Sequence, residues 1–186
     1  MPTKSGDVKD MDQHIRNMLQ RVQMHPDAYR IVDYIGDDQA RFDALIRNFI
    51  AGPYRITQRA SWPLTKCVER FPSLAKSHLP TFIKALASDG HPAVRRNMLR
   101  SLQYIKIPPR YYSRLVKLCE SILRGSEPIA IQVFAMEVWA QIAEALPELQ
   151  IELCTILEER LPYGSAGYRN RAMKILKRFK RKAQPY

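Results

Sequence analysis

Four segments of this chain repeat one apolar pattern, beginning at Ile56, Val94, Ile131 and Tyr168, at spacings of 38, 37 and 37 residues. Each places apolar side chains at offsets 0, 4, 8 and 11. The columns are Ile56, Ala60, Leu64 and Cys67; Val94, Met98, Leu102 and Ile105; Ile131, Ala135, Trp139 and Ile142; and Tyr168, Ala172, Leu176 and Phe179. Those offsets trace one face of an α-helix and conflict with the period of two that a strand requires. A unit of this length cannot bury its apolar face alone, so recurrence at this period implies units stacked on one another.

Glycine stands just ahead of each segment, at Gly52, Gly90, Gly125 and Gly164, joined in three turns by Pro53, Pro92 and Pro128. Such punctuation suits a helix–turn–helix hairpin. The partner helices are expected at about 39–51, 76–88, 110–124 and 147–161, each with its own helical apolar spacing. Pro80 and Pro147 fit first-turn positions, where the missing N–H costs nothing, whereas Pro63 is expected to kink or delay its helix.

With 46% hydrophobic and 26% charged residues, the 186-residue chain has the makeup of a globular domain with a sizeable core and not of a disordered one. Cys67, Cys119 and Cys154 are odd in number and far apart inside apolar patterns. They read as reduced core thiols of a cytoplasmic protein, not as a disulfide framework. No run approaches the length of a membrane span, and the opening residues carry no signal-like apolar stretch. The net charge of +12 is segmented: residues 44–124 hold 15 basic and 3 acidic residues, residues 125–168 hold 1 and 7, and residues 169–186 hold eight basic residues and no acid.

The stretch DGHPAVRRNMLRSL, with Asp89 in the turn, then Pro92 and Val94-Arg95 opening the next helix, resembles a HEAT repeat. In that family the turn Asp and helix Arg form a ladder between neighbouring repeats. Arg169 matches the Arg position of the last repeat. Thr57 and Gln132 replace the Arg elsewhere, and Ala51, Ser126 and Tyr163 stand where the Asp would be. The resemblance implies an all-α fold: a right-handed α-solenoid of about four helix pairs (about 39–72, 76–108, 110–146 and 147–182). Residues 1–38 would hold one or two shorter capping helices, and residues 1–8 and 183–186 are expected to fray. HEAT proteins share no single function.

No GxGxxG, GxxxxGK[ST], HExxH, GxSxG or CxxC occurs, so the sequence offers no catalytic, cofactor-binding or metal-binding residue. His14, His25, His78 and His91 are placed at turns or helix ends without ligand spacing, and the adjacent acids Glu158-Glu159 and Asp37-Asp38 diverge on a helix. What remains is a surface. In HEAT solenoids the second helix of each pair lines the concave face, where the non-core offsets select Arg59, Trp62, Arg96, Asn97, Arg100, Tyr104, Glu137, Arg171 and Lys174. Trp62 among arginines could anchor a partner helix, stack a base or clamp a phosphate. Otherwise Trp62 packs against the capping helices and the arginines are solvated. The reading favoured is a non-catalytic protein-interaction module that binds a protein partner in its groove. The alternative is nucleic-acid binding resembling HEAT-like DNA glycosylases of alkylation repair.

Overall fold

The computed structural model describes residues 5–88 and 91–183. Asp89, Gly90 and the end of the expected frayed tail lie outside the described residues. The chain forms two compact units, the first reaching Ile105 and the second beginning at Lys106. Among the described residues, every regular element is helical.

The first unit holds α1 (Ser5–Arg21), α2 (His25–Ile35), α3 (Gln39–Ala51), α4 (Tyr54–Arg70), α5 (Pro72–Lys76), α6 (Leu79–Ala87) and α7 (Pro92–Leu102). Here α1 packs on α3 and α2 on α4, while α4 packs in turn on α7, and α7 on α6. Thus α1 and α2 stack on α3 and α4 as a further helix pair would. Helix α2, with 11 residues, is short as expected, but α1 is not: it has 17 residues, as many as α4, and residues 5–8 are helical instead of frayed. Arg47 on α3 holds Asp12 of α1 at 2.7 Å, and the Arg16 Nε–H donates to Asn48 Oδ1, tying the first two pairs together.

The second unit holds α8 (Tyr112–Arg124), preceded by a 3-10 turn at Pro109–Tyr111, then α9 (Ile129–Ala145), α10 (Glu148–Arg160) and α11 (Ala166–Ala183). Helix α9 packs against α8, α10 and α11. Its apolar residues run around the whole circumference, as a helix enclosed by neighbours requires. The apolar columns read from the sequence form the core of both units: every column residue is buried except Val94, which is half-buried at the first turn of α7. Trp139, Tyr168, Phe42, Phe49 and Phe82 are enclosed completely, and each such side chain contributes about 1.5–3 kcal/mol of transfer free energy.

Proline acts differently at its two informative positions. Pro63 neither delays nor ends α4, which starts at Tyr54 and runs through it to Arg70. The segment expected as a helix at about 76–88 forms α6 from Leu79, with Pro80 in its first turn as expected, while the short α5 ahead of it ends at Lys76. Pro80 keeps α5 and α6 from joining: a continuous helix would drive its ring into the carbonyl four residues back.

Three of the four intra-repeat turns are held from one recurring place, the residue after the column start. Thr57 donates its hydroxyl to the Phe49 carbonyl at 2.9 Å, Arg95 its Nη2–H to the Ser88 carbonyl at 2.8 Å, and Gln132 its Nε2–H to the Glu127 carbonyl at 2.6 Å. Loss of the ladder arginine at Thr57 and Gln132 therefore leaves the turn tether in place. Gly52 is required by close approach, because a Cβ there would stand 2.3 Å from the Asn48 carbonyl oxygen and 2.9 Å from Ile56 Cγ2. Gly164 has the same role against Tyr168, with 2.7 Å to Cδ1.

Candidate interaction surface

In the first unit α2, α4 and α7 lie side by side, and the non-core faces of these helices carry the predicted residues of repeats one and two. Tyr29 of α2, 49% exposed, meets half-buried Trp62 of α4 edge to face, with ring centroids 4.4 Å apart at 81°. Lys66, one turn on from Trp62, sets its Nζ 5.7 Å from the indole centre and pairs with Glu69 at 2.6 Å. The hydrogen bond to Glu69 is the main cause that raises the Lys66 ammonium above its ordinary value. The charges of Tyr29 and Tyr104 add to it in a smaller degree. Tyr104 itself is 39% exposed.

On α7, Arg96 is exposed and Arg100 half-buried, and among the described residues neither makes an ion pair or hydrogen bond. Two expected members behave otherwise. Asn97 is 1% exposed and donates its Nδ2–H to the Ala93 carbonyl, so it belongs to the interior and lines no groove. Packing around α7 therefore covers more of its surface than the apolar column alone indicates. Arg59 donates Nη1–H to the Gln20 carbonyl at 2.6 Å and so caps the C-terminal end of α1. What remains is an aromatic and cationic surface of Tyr29, Trp62, Lys66, Arg96, Arg100 and Tyr104. Sequence reasoning left out Tyr29 because it treated α2 only as a cap.

In the second unit Glu137 of α9 accepts from Arg171 Nη1 at 2.8 Å and from Arg178 Nη1 at 2.7 Å, and Arg178 also lies 3.4 Å from Glu144. Burial works to raise the Glu137 carboxyl, but the two guanidinium hydrogen bonds together outweigh it and hold the group below its ordinary range. Hence Arg171, expected as a groove cation, is neutralised within its own unit, while Lys174 stays exposed. The Arg178 partnership was legible: both arginines and Glu137 fall on non-core offsets of adjacent repeats with opposite charge.

Cys67 and Cys119 are buried, and desolvation pushes both thiols up to about 12, away from the thiolate that reactivity needs. Cys154 is half-buried and departs from the core role expected of it. His14 sits within α1, not at a helix end, with its ring 4.9 Å from that of Tyr34. His78 Nε2 lies 2.6 Å from Asp43, and His91 Nδ1 accepts from the Ala93 N–H to cap α7, while the His25 side chain lies outside the described residues. Among the described residues no group of three His, Cys, Asp or Glu side chains is arranged to hold a metal ion. No helix there is long and apolar enough to cross a membrane.

Two clefts of about 490 Å³ each open on the other side of the first unit, where α3 and α6 line them through Ile50 and Thr81. None of the predicted surface residues borders either cleft.

Neither the curated proteins nor the solved structures contain a match to this chain. A family model, the HEAT repeat domain, matches residues 15–179, from the middle of α1 to the buried Phe179 of α11. That span takes in the helix pairs and the apolar columns of both units, and the chain belongs to the HEAT-repeat family.

Proposed function

We propose that this protein is a non-catalytic interaction module whose α2–α4–α7 surface binds an acidic segment of a partner protein. Members of the HEAT family typically mediate interactions. The observation that carries the finer reading is that part-exposed aromatic rings, Tyr29, Trp62 and Tyr104, occur on the same packed helices as Arg96 and Arg100, which form no ion pair among the described residues. Aromatic and arginine side chains are the groups that concentrate binding energy at protein interfaces. The cations select an acidic partner and speed its approach, whereas the rings supply the apolar area.

The glycosylase alternative gains no support. Such an enzyme would grip duplex with a basic face and a free acid, yet Glu137 spends both carboxylate oxygens on Arg171 and Arg178.

The test compares wild type with Trp62→Ala and with Arg96→Ala/Arg100→Ala, each used to capture binders from extract with and without nuclease, followed by affinity measurement on the species recovered. The expected partner is a protein retained after nuclease. Its affinity should fall about 30-fold, or about 2 kcal/mol, for Trp62→Ala, with mild salt dependence. Binding that disappears with nuclease would overturn the reading. So would a salt dependence whose slope drops by about two units in the double arginine variant, because each lost phosphate contact removes about 0.9 of a unit.

A further inference from the structure

On the second unit we infer that the outer face of α10 and α11 docks on the same face of a second copy of this chain, about a two-fold axis parallel to the two helices. The face carries two charge stripes of opposite sign. On α10 the exposed residues Glu148, Ile151, Thr155 and Glu158 recur at offsets 0, 3, 7 and 10. On α11 the exposed residues Arg169, Met173, Lys177 and Lys180 recur at offsets 0, 4, 8 and 11. Both series follow one helix face. The two helices pack on each other, so the stripes lie on neighbouring helices. Ile151 is 76% and Met173 54% exposed, so each stripe has a bare apolar centre between its charges.

Within one copy these charges go unused. Among the described residues Glu148, Glu158, Arg169, Lys177 and Lys180 form no ion pair. Two of them also oppose their own helices. Glu158 lies in the last turn of α10, where the macrodipole favours cations, and Arg169 in the first turn of α11, where it favours anions. Helix stability therefore does not account for their placement, whereas an opposing copy does.

The antiparallel run of α10 and α11 fixes how two copies meet. Glu158, near the end of α10, is level with Arg169 near the start of α11, and Glu148 is level with Lys180. An axis parallel to the helices lays α10 of one copy over α11 of the other, which at 1.5 Å per residue puts Glu158 opposite Arg169, Thr155 opposite Met173, Ile151 against the stem of Lys177, and Glu148 opposite Lys180. A perpendicular axis would set acid on acid and base on base. The contact is isologous, so it closes at two copies. The overall charge of +12 works against association, but charges farther apart than about 8 Å are screened at physiological salt, which leaves the facing pairs to decide. Complementary charge gives orientation more than affinity, so the dimer is weak and exchanging.

Sedimentation velocity of the full chain tests the proposal across a concentration series, with helical circular dichroism to verify folding. Wild type should associate to a dimer that weakens about tenfold between ~50 mM and ~500 mM salt. Glu148→Lys/Glu158→Lys and Arg169→Glu/Lys177→Glu/Lys180→Glu should each be monomeric alone, because each presents one sign on both helices. Mixed in equal amounts, the two variants should recover a heterodimer. Wild type that stays monomeric at low salt, variants that dimerise as wild type does, or a mixture that fails to associate would each overturn it.

Discussion

Trp139→Ala should lower stability by about 3–5 kcal/mol, the cost of deleting a fully enclosed aromatic side chain. Trp139 is 0% exposed on α9, the helix that α8, α10 and α11 surround. Removing the ring takes away its transfer free energy and leaves a cavity that three packed helices cannot easily collapse to fill. Its Nε1 has no hydrogen-bond partner among the described residues, so the loss is one of packing and not of a polar contact. Trp139→Phe should therefore cost clearly less than the alanine variant. Chemical denaturation followed by helical circular dichroism measures both. A shift in midpoint at unchanged slope is the expected signature, and a loss below about 1 kcal/mol for the alanine variant would show that the ring does not organise this core. The chain's two tryptophans lie one in each unit, so the fluorescence left in the variant reports the first unit through Trp62.

Replacing Glu137 by Gln should destabilise the second unit by about 2 kcal/mol, because it leaves two half-buried guanidinium groups facing each other without their shared carboxylate. The magnitude is smaller than for a fully buried pair, since water still reaches all three side chains. The effect should depend on pH in a definite direction. The folded protein holds the Glu137 carboxyl below its ordinary range, so the carboxylate's contribution is fully present above that range and is lost as the pH falls through the depressed value. Stability of wild type and of Glu137→Gln should thus differ at neutral pH and converge in acid. A difference that stays constant down to strongly acidic pH would mean that the carboxylate charge is not what holds α9 to α11.

The repeat architecture was readable because it rests on local geometry. An apolar side chain every three or four residues can be buried only on one face of a helix, and the columns from Ile56 to Phe179 obey that rule whatever their neighbours are. Turn chemistry is equally local: Gly52 and Gly164 precede tyrosine and isoleucine rows too closely for a Cβ to fit. The same locality misled where a neighbour intervenes. Asn97 occupies a polar offset, yet it is buried and bonds the Ala93 carbonyl of its own helix, and Arg59 reads as a groove cation but is consumed by the last turn of α1. Pro63 reads as a residue that delays its helix, yet α4 starts at Tyr54 and continues through it.

The sequence by itself determined that the chain is all-α, which residues form its core and which helix faces stay polar, because burial periodicity is written into each helix separately. Only the tertiary structure decided which polar residues remain available. Arg171, Arg178 and Glu137 neutralise one another, Arg96 and Arg100 do not find a partner among the described residues, and Tyr29 joins Trp62 from a helix pair that the repeat count omitted. Side-chain hydrogen bonds and ion pairs are won in competition among groups about 35 or more residues apart in the chain, and that competition is resolved only when packing has fixed which helices lie side by side.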